Sequence, residues 1–361
     1  MSTLDWNEYH EKDTEEEVLA TDASDIGKRL LNASVDTSRQ LHPISYPWAY
    51  TMYNQQSQNF WLSTEIPYSE DIGHWQSNAL TEHEKNAVTK VLGHFACLEM
   101  GVGDNLALAL YRHICPTECR MALMIQSGIE AIHEDAYALM IDAIGMDRQE
   151  AFTAHRNVST VAAKTEFMER QTRELADPSF KTHTMESKRR LLLNIIAFAM
   201  MEGVSFLGGF SILLSFKLRN LLPGIHKTIV FIMRDETLHF NFLTALAVEL
   251  IREEPGIWDE DTQTRAWQII NEVVTVELAF VDETIGEGIP NLSAANLKEH
   301  ILFLTQRRIS PLGLQSKEAP EKSPVNWLAE VVETEQESNF FETTVHSYRK
   351  GGLSWTKTES K

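Results

Sequence analysis

The sequence predicts an all-α protein, a bundle of long helices around one large core. Three observations carry that expectation. Apolar residues recur at helical spacing in successive segments between Thr81 and Arg308, helix punctuation falls between those segments, and no stretch offers the period-two alternation of a half-buried sheet. With 361 residues, 43% of them hydrophobic, the chain can bury a sizeable core.

Taken in order, residues 1–40 are polar and acidic without apolar periodicity, and a flexible arm is expected there. At Thr81 the character changes. Thr81 and Glu84 have the Thr-x-x-Glu spacing of a capping box, in which each side chain accepts from the other residue's backbone N–H, and a helix is expected to about residue 111. Pro116 opens the next, to about residue 145, since proline's fixed φ suits a first helical turn. Another covers about 149–175, and a long apolar helix about 185–221. Pro223-Gly224 separates it from a helix over about 225–252, followed by two more over about 262–285 and 294–308. Residues 41–313 are thus the expected helical domain. Residues 314–361, rich in Glu, Ser, Thr and Lys, are expected to form a flexible tail.

Composition excludes several classes. Lys+Arg number 32 against 52 Asp+Glu, and a formal charge of -20 repels nucleic acid and anionic membrane. Cys97, Cys115 and Cys119 form no C-x-x-C pair, and an odd count argues against a disulfide framework, so a reducing cytoplasm is expected. The start of the chain, MSTLDWNEYHEKDTEEE, has neither the basic opening nor the apolar run of a signal peptide. The run from Leu191 to Phe216 is long enough to cross a bilayer, but Asn194 and Glu202 interrupt it and no second such span follows. It is expected to be a central helix of the bundle.

Polar residues on apolar helix faces are the informative anomaly. Glu-x-x-His occurs at Glu130–His133 and Glu236–His239, a spacing that 13 histidines would produce by chance. Position raises its value. Residues three apart share a helix face, and these share theirs with Leu123 and Tyr137 in one case and with Ile229, Ile232 and Leu243 in the other. Glu99 and Glu202 are lone acids among apolar neighbours. A buried carboxylate must be protonated, paired or bound to metal, because leaving it charged and alone costs several kcal/mol. For a single acid, a protonated core carboxyl is the simpler account. One Glu on each of two helices with one Glu-x-x-His on each of two more is instead the donor inventory of ferritin-like di-iron and di-manganese carboxylate bundles. Carboxylate oxygens suit oxidised iron or manganese, four of them balance two divalent ions, and imidazole adds a neutral donor. Cys97, two residues from Glu99, points to a different face and is expected to be core. The expected fold is therefore a ferritin-like helical bundle with a dinuclear metal site in its core.

With those residues in place the chain resembles the small (beta) subunit of class I ribonucleotide reductases, over about residues 41–355. Order and spacing both agree. Glu99 comes first, then Glu130, His133 and Tyr137, then Glu202-Gly203 with the aromatic Phe206, then Arg234-Asp235-Glu236 with His239. The resemblance implies that Glu99, Glu130, His133, Glu202, Glu236 and His239 are the metal ligands and that Tyr137, one turn beyond a ligand, is the radical tyrosine. Trp61, in Asn59-Phe60-Trp61, matches the tryptophan that hydrogen-bonds toward the metal-site aspartate, here Asp235, which contacts the ligand at His133; such an acceptor fixes an imidazole tautomer. The tail from Asn339 to Trp355 also resembles the family, with Tyr348 as the relay to the large (alpha) subunit.

The function so implied is that of a radical-generating small subunit of ribonucleoside-diphosphate reductase, a homodimer holding two metal ions per chain and passing an oxidant to the large subunit. An iron pair is the first expectation. Most members have Asp where this chain has Glu99, and the subgroup with Glu there includes manganese/iron proteins that often replace the tyrosine; having both Glu99 and Tyr137 leaves Mn/Fe and Mn/Mn pairs open, as well as the place where the oxidant is stored. Two rivals explain the six donors without the tail: a ferritin-like iron-storage or detoxification protein, and a dimetal oxygenase acting on a small organic substrate.

Overall fold

A computed structural model describes residues 29–32, 41–316 and 319–328; Tyr348 and most of the expected arm and tail lie outside them. The first two described helices, α1 (Pro47–Gln58) and α2 (Ser69–Gln76), precede the region where the sequence pattern begins. Helix α3 (Glu82–Asp104) starts at the expected capping box, with Glu84 N donating to Thr81 Oγ1 at 3.3 Å and Thr81 N donating to Glu84 Oε2 at 2.8 Å. It runs on through a π-helical stretch, Asn105–Leu110. Helix α4 (Thr117–Ile144) stops at Gly145, whose φ of 71° only glycine adopts without strain.

The helix expected over 149–175 is in fact two, α5 (Arg148–Phe152) and α6 (Ser159–Ala176), with a 3-10 turn between them at Ala154–Arg156. A tertiary cap forces the break. Glu283 accepts from the backbone N–H groups of Ser159 at 3.2 Å and Thr160 at 3.1 Å, starting α6 anew with a carboxylate from a distant part of the chain.

The long apolar segment is likewise divided, into α7 (Met185–Met200), a π-helical turn at Met201–Ser205, α8 (Leu207–Ser215) and a 3-10 turn at Phe216–Arg219. Every residue from Leu191 to Phe216 is buried within the bundle, which is how so apolar a run avoids water. Helix α9 (Pro223–Glu253) takes in the Pro223-Gly224 expected to precede it, with the proline in its first turn; α10 (Glu260–Ile285) and α11 (Ala294–Ile309) follow. Between the last two, Gly288–Ile289 and Leu292–Ser293 form a two-stranded antiparallel hairpin, too short for period-two patterning to reveal.

Helices α3, α4, α7–α8 and α9 form the centre: α3 lies on α4, α9 packs against both α7 and α4, and α8 bridges α3 and α9. Around them, α1 covers α4 and α9, α6 covers α3, and α10 lies across α3, α6 and α7, with α11 outside it. Packed chain extends past both expected domain limits. In the arm, Leu30 and Leu31 are buried, Leu30 N donating to Glu253 Oε2 at 2.8 Å. In the tail, Val325 and Leu328 are buried, and Ser323 Oγ lies 2.7 Å from His300 Nδ1. A few apolar side chains suffice to dock these otherwise polar segments.

Candidate metal centre

The four central helices bring the six predicted side chains to one point. Glu99 comes from α3, Glu130 and His133 from α4, Glu202 from the π-helical turn after α7, and Glu236 and His239 from α9. All are buried, none more than 2% exposed. Their donor atoms fall into two sets, Glu99, Glu130, His133, Glu236 and Glu130, Glu202, Glu236, His239, and within each set the atoms lie within 4.8 Å of one another. Glu130 and Glu236 belong to both. Each has one oxygen toward each histidine: His133 Nδ1 is 3.2 Å from Glu130 Oε2 and 3.1 Å from Glu236 Oε1, while His239 Nδ1 is 2.9 Å from Glu130 Oε1 and 3.3 Å from Glu236 Oε2. Glu99 and Glu202 close the two ends, at 4.0 Å from His133 Nδ1 and 3.8 Å from His239 Nδ1.

Electrostatics favour a cation pair here. Among the described residues no lysine or arginine forms an ion pair with the four carboxylates, whose close basic neighbours are His133 and His239. Burial, reinforced by the charge of Glu236, pushes the Glu99 and Glu202 carboxyls well above the usual range. Burial works against charging His133 and His239, yet the surrounding acids outweigh it and raise both imidazoles. Protons, in other words, must supply the positive charge that the donors demand. Two divalent ions would supply it instead, and the oxygen and imidazole donors, with two carboxylates shared, fit a pair of iron or manganese ions.

Trp61, Asp235 and Tyr137 border this cluster. Trp61 Nε1 donates to Asp235 Oδ2 at 2.8 Å, and the same oxygen lies 3.4 Å from His133 Nε2. An N–H at Nε2 leaves Nδ1, the nitrogen facing the acids, with its lone pair free. Tyr137 is 0% exposed, stacked on Phe95 with centroids 5.0 Å apart, in a cage that Phe206 and Phe210 complete around Phe95. Its hydroxyl faces the Glu99 carboxylate, and burial followed by the charge of Glu99 holds the phenol's pKa well above its ordinary value.

The sequence model of the family described as "Ribonucleotide reductase, small chain" matches residues 38–317, which include all nine of these residues. The chain belongs to this family. It is 32% identical over 330 residues to the ribonucleoside-diphosphate reductase subunit beta of Chlamydia pneumoniae, covering 91% of this chain and 95% of that one. It is 29% identical over 311 residues to the ribonucleoside-diphosphate reductase small chain of Spisula solidissima, covering 86% and 76%. Its fold is that of a ribonucleotide reductase R2 subunit from Clostridium botulinum, with a TM-score of 0.74 at 22% identity over 84% of this chain and 93% of that one. A dimanganese(II)-NrdF from Streptococcus sanguinis also shares it, with a TM-score of 0.63 at 17% identity over 79% and 96%. As a ribonucleotide reductase small chain it is the radical-generating component of an oxidoreductase and works with a large subunit.

Two contacts at the site are not legible from its motifs. Gln126, one turn before Glu130 on the same face of α4, donates from Nε2 to Glu202 Oε1 at 2.8 Å; a buried glutamine four residues from a ligand motif was the available signal. Arg234, read only as part of its motif, holds Asp235 Oδ1 at 3.1 Å and the Asn59 carbonyl at 2.7 Å, tying the Trp61 segment to α9. That link joins residues 175 apart, beyond the reach of local pattern.

Proposed function

We propose that Glu99, Glu130, His133, Glu202, Glu236 and His239 hold two redox metal ions, and that Tyr137 is oxidised beside them. The hole then passes through Trp61 and Tyr348 to the large subunit, where a ribonucleoside diphosphate is reduced. The single observation that carries this reading is the pair of donor sets sharing Glu130 and Glu236, with a buried tyrosine next to Glu99.

When bound, the metal pair supplies a one-electron oxidant formed with dioxygen or a reduced oxygen species. Tyr137 gives up one electron and its phenolic proton, and Glu99, the acid whose charge bears most on the phenol, receives that proton. Phe95 and its neighbours exclude water and reductants from the resulting radical. Asp235 keeps His133 in one tautomer and holds the Trp61 Nε1–H, so that a proton can follow when an electron leaves the indole.

An iron pair is the assignment we adopt; Mn/Fe and Mn/Mn are the alternatives, and the dimanganese neighbour shares this fold. The functional unit is a homodimer in the cytoplasm. Support for the dimer is Met124 of α4, 60% exposed, and Leu108 of the π-helical stretch packed on α4, 53% exposed, large apolar side chains that a monomer leaves in water. The part of the tail beyond residue 328, outside the described residues, docks on the large subunit.

The test is metal analysis with electron paramagnetic resonance on protein loaded with iron, manganese or both. Two ions per chain are expected, with a tyrosyl signal after oxygen exposure and deoxyribonucleotide formation only when the large subunit is added. Glu202→Ala should bind well below two ions; unchanged stoichiometry would remove Glu202 from the ligand set. Turnover of a small organic substrate, or iron accumulation far beyond two per chain, would favour the oxygenase or the storage protein.

A further inference from the structure

The helix that carries Glu202 is broken beside it, and a buried ion pair spans the break. Where the π-helical turn Met201–Ser205 ends, carbonyls lose their helical partners; where α8 begins at Leu207, amides lose theirs. Lys164 of α6 and Glu277 of α10 meet there. Lys164 Nζ donates to the Ser205 carbonyl at 2.7 Å, to Glu277 Oε2, and to His94 Nε2 at 3.0 Å. Glu277 Oε1 accepts from the Gly208 N–H at 2.6 Å. A cation thus sits at the carbonyl end of one helix and an anion at the amide end of the next, as each dipole prefers. Gly208 is required for the approach, since a Cβ there would lie 2.6 Å from Glu277 Oε1.

Lys164 is 2% exposed and Glu277 0%. Pairs so deeply buried contribute little net stability, and apolar replacements of similar size are often neutral or better. A positional role accounts for this one, because the carbonyl it holds is three residues from Glu202. We propose that the Lys164–Glu277 pair clamps the π-helical turn Met201–Ser205 and so positions the Glu202 carboxylate for metal binding. Both are positioning residues, neither reaching the metal donors themselves, and the proposal rests on the reading of Glu202 as a ligand.

The experiment is titration with Mn(II), followed by calorimetry and by the electron paramagnetic resonance of free ion, on the full chain. Lys164→Met/Glu277→Leu removes the clamp and leaves no net change in charge. It should fold, bind its first Mn(II) as the parent does, and bind the second about tenfold more weakly, the scale typical of lost outer contacts at metal sites. Lys164→Met/Glu277→Gln keeps an acceptor for Gly208 and should recover part of that loss; if the leucine variant does not fold, this variant carries the test by the same criterion. A merely structural pair would lower Tm and leave both affinities of the folded protein unchanged. Glu202→Ala is the control. Should it lose one ion while the folded clamp variants bind both at parental affinity, the clamp is overturned and the ligand reading stands. If Glu202→Ala itself binds two ions normally, the ligand reading falls and the clamp with it.

Discussion

Tyr137 is the residue on which the chemistry turns. Its hydroxyl is a buried polar group facing the Glu99 carboxylate, and a phenol whose pKa is held far above its usual value stays protonated until it is oxidised. Removing that oxygen takes away a single buried polar group, so Tyr137→Phe should change stability by less than about 1 kcal/mol. Its metal content should match the parent's, while the radical signal and deoxyribonucleotide formation both disappear. Retained activity would place the stored oxidant on the metals, the alternative left open by having Glu99 and Tyr137 in one chain. Six donors at this scale were legible because burying them makes sense only together. Gln126 was not, since a single buried amide has many ordinary explanations.

At the level of elements, the turn carrying Glu202 shows how tightly the centre is held. A Cβ on Gly203 would lie 2.5 Å from Phe240 Cδ2 and 2.8 Å from Arg308 Cδ, with the Arg308 guanidinium stacked over the Phe240 ring at 4.4 Å. Gly203→Ala should therefore destabilise the protein by about 1–3 kcal/mol, read from urea unfolding, and should weaken metal binding by displacing its neighbour Glu202. A variant as stable as the parent would mean that α9 and α11 yield readily. Helix α4 makes a different prediction from its outer face. Met124→Glu puts a charge where a second copy would pack, and light scattering should find monomers in place of dimers with the metal centre intact. Dimers of undiminished stability would move the interface elsewhere.

For the molecule as a whole, the tail separates a reductase subunit from the storage and oxygenase readings, which need no second protein. Truncation after Glu333 should abolish deoxyribonucleotide formation and weaken association with the large subunit at least tenfold, a loss of about 1.4 kcal/mol or more. Tyr348→Phe should abolish activity while association is retained, since only the redox-active hydroxyl is lost. Both variants should load metal and form the oxidised centre normally. A truncated chain that still supports wild-type rates would sink the proposed route.

Sequence alone determined the helical class, the capping box at Thr81, the break between α8 and α9 at Pro223-Gly224 to within two residues and the convergence of the six donors, because each is written in short-range spacing or in the high free energy of an unexplained buried charge. The structure alone decided where helices break. Nothing in the helical patterning of the run from Leu191 to Phe216 marks the interruption at Phe206, and nothing local to Ser159 announces that a carboxylate 124 residues away will cap it. The same holds for Lys164 and Glu277, which meet across 113 residues. Local patterns report what a segment can do by itself, whereas the partners that end a helix or hold a turn are supplied by elements that reach it only once the chain has folded.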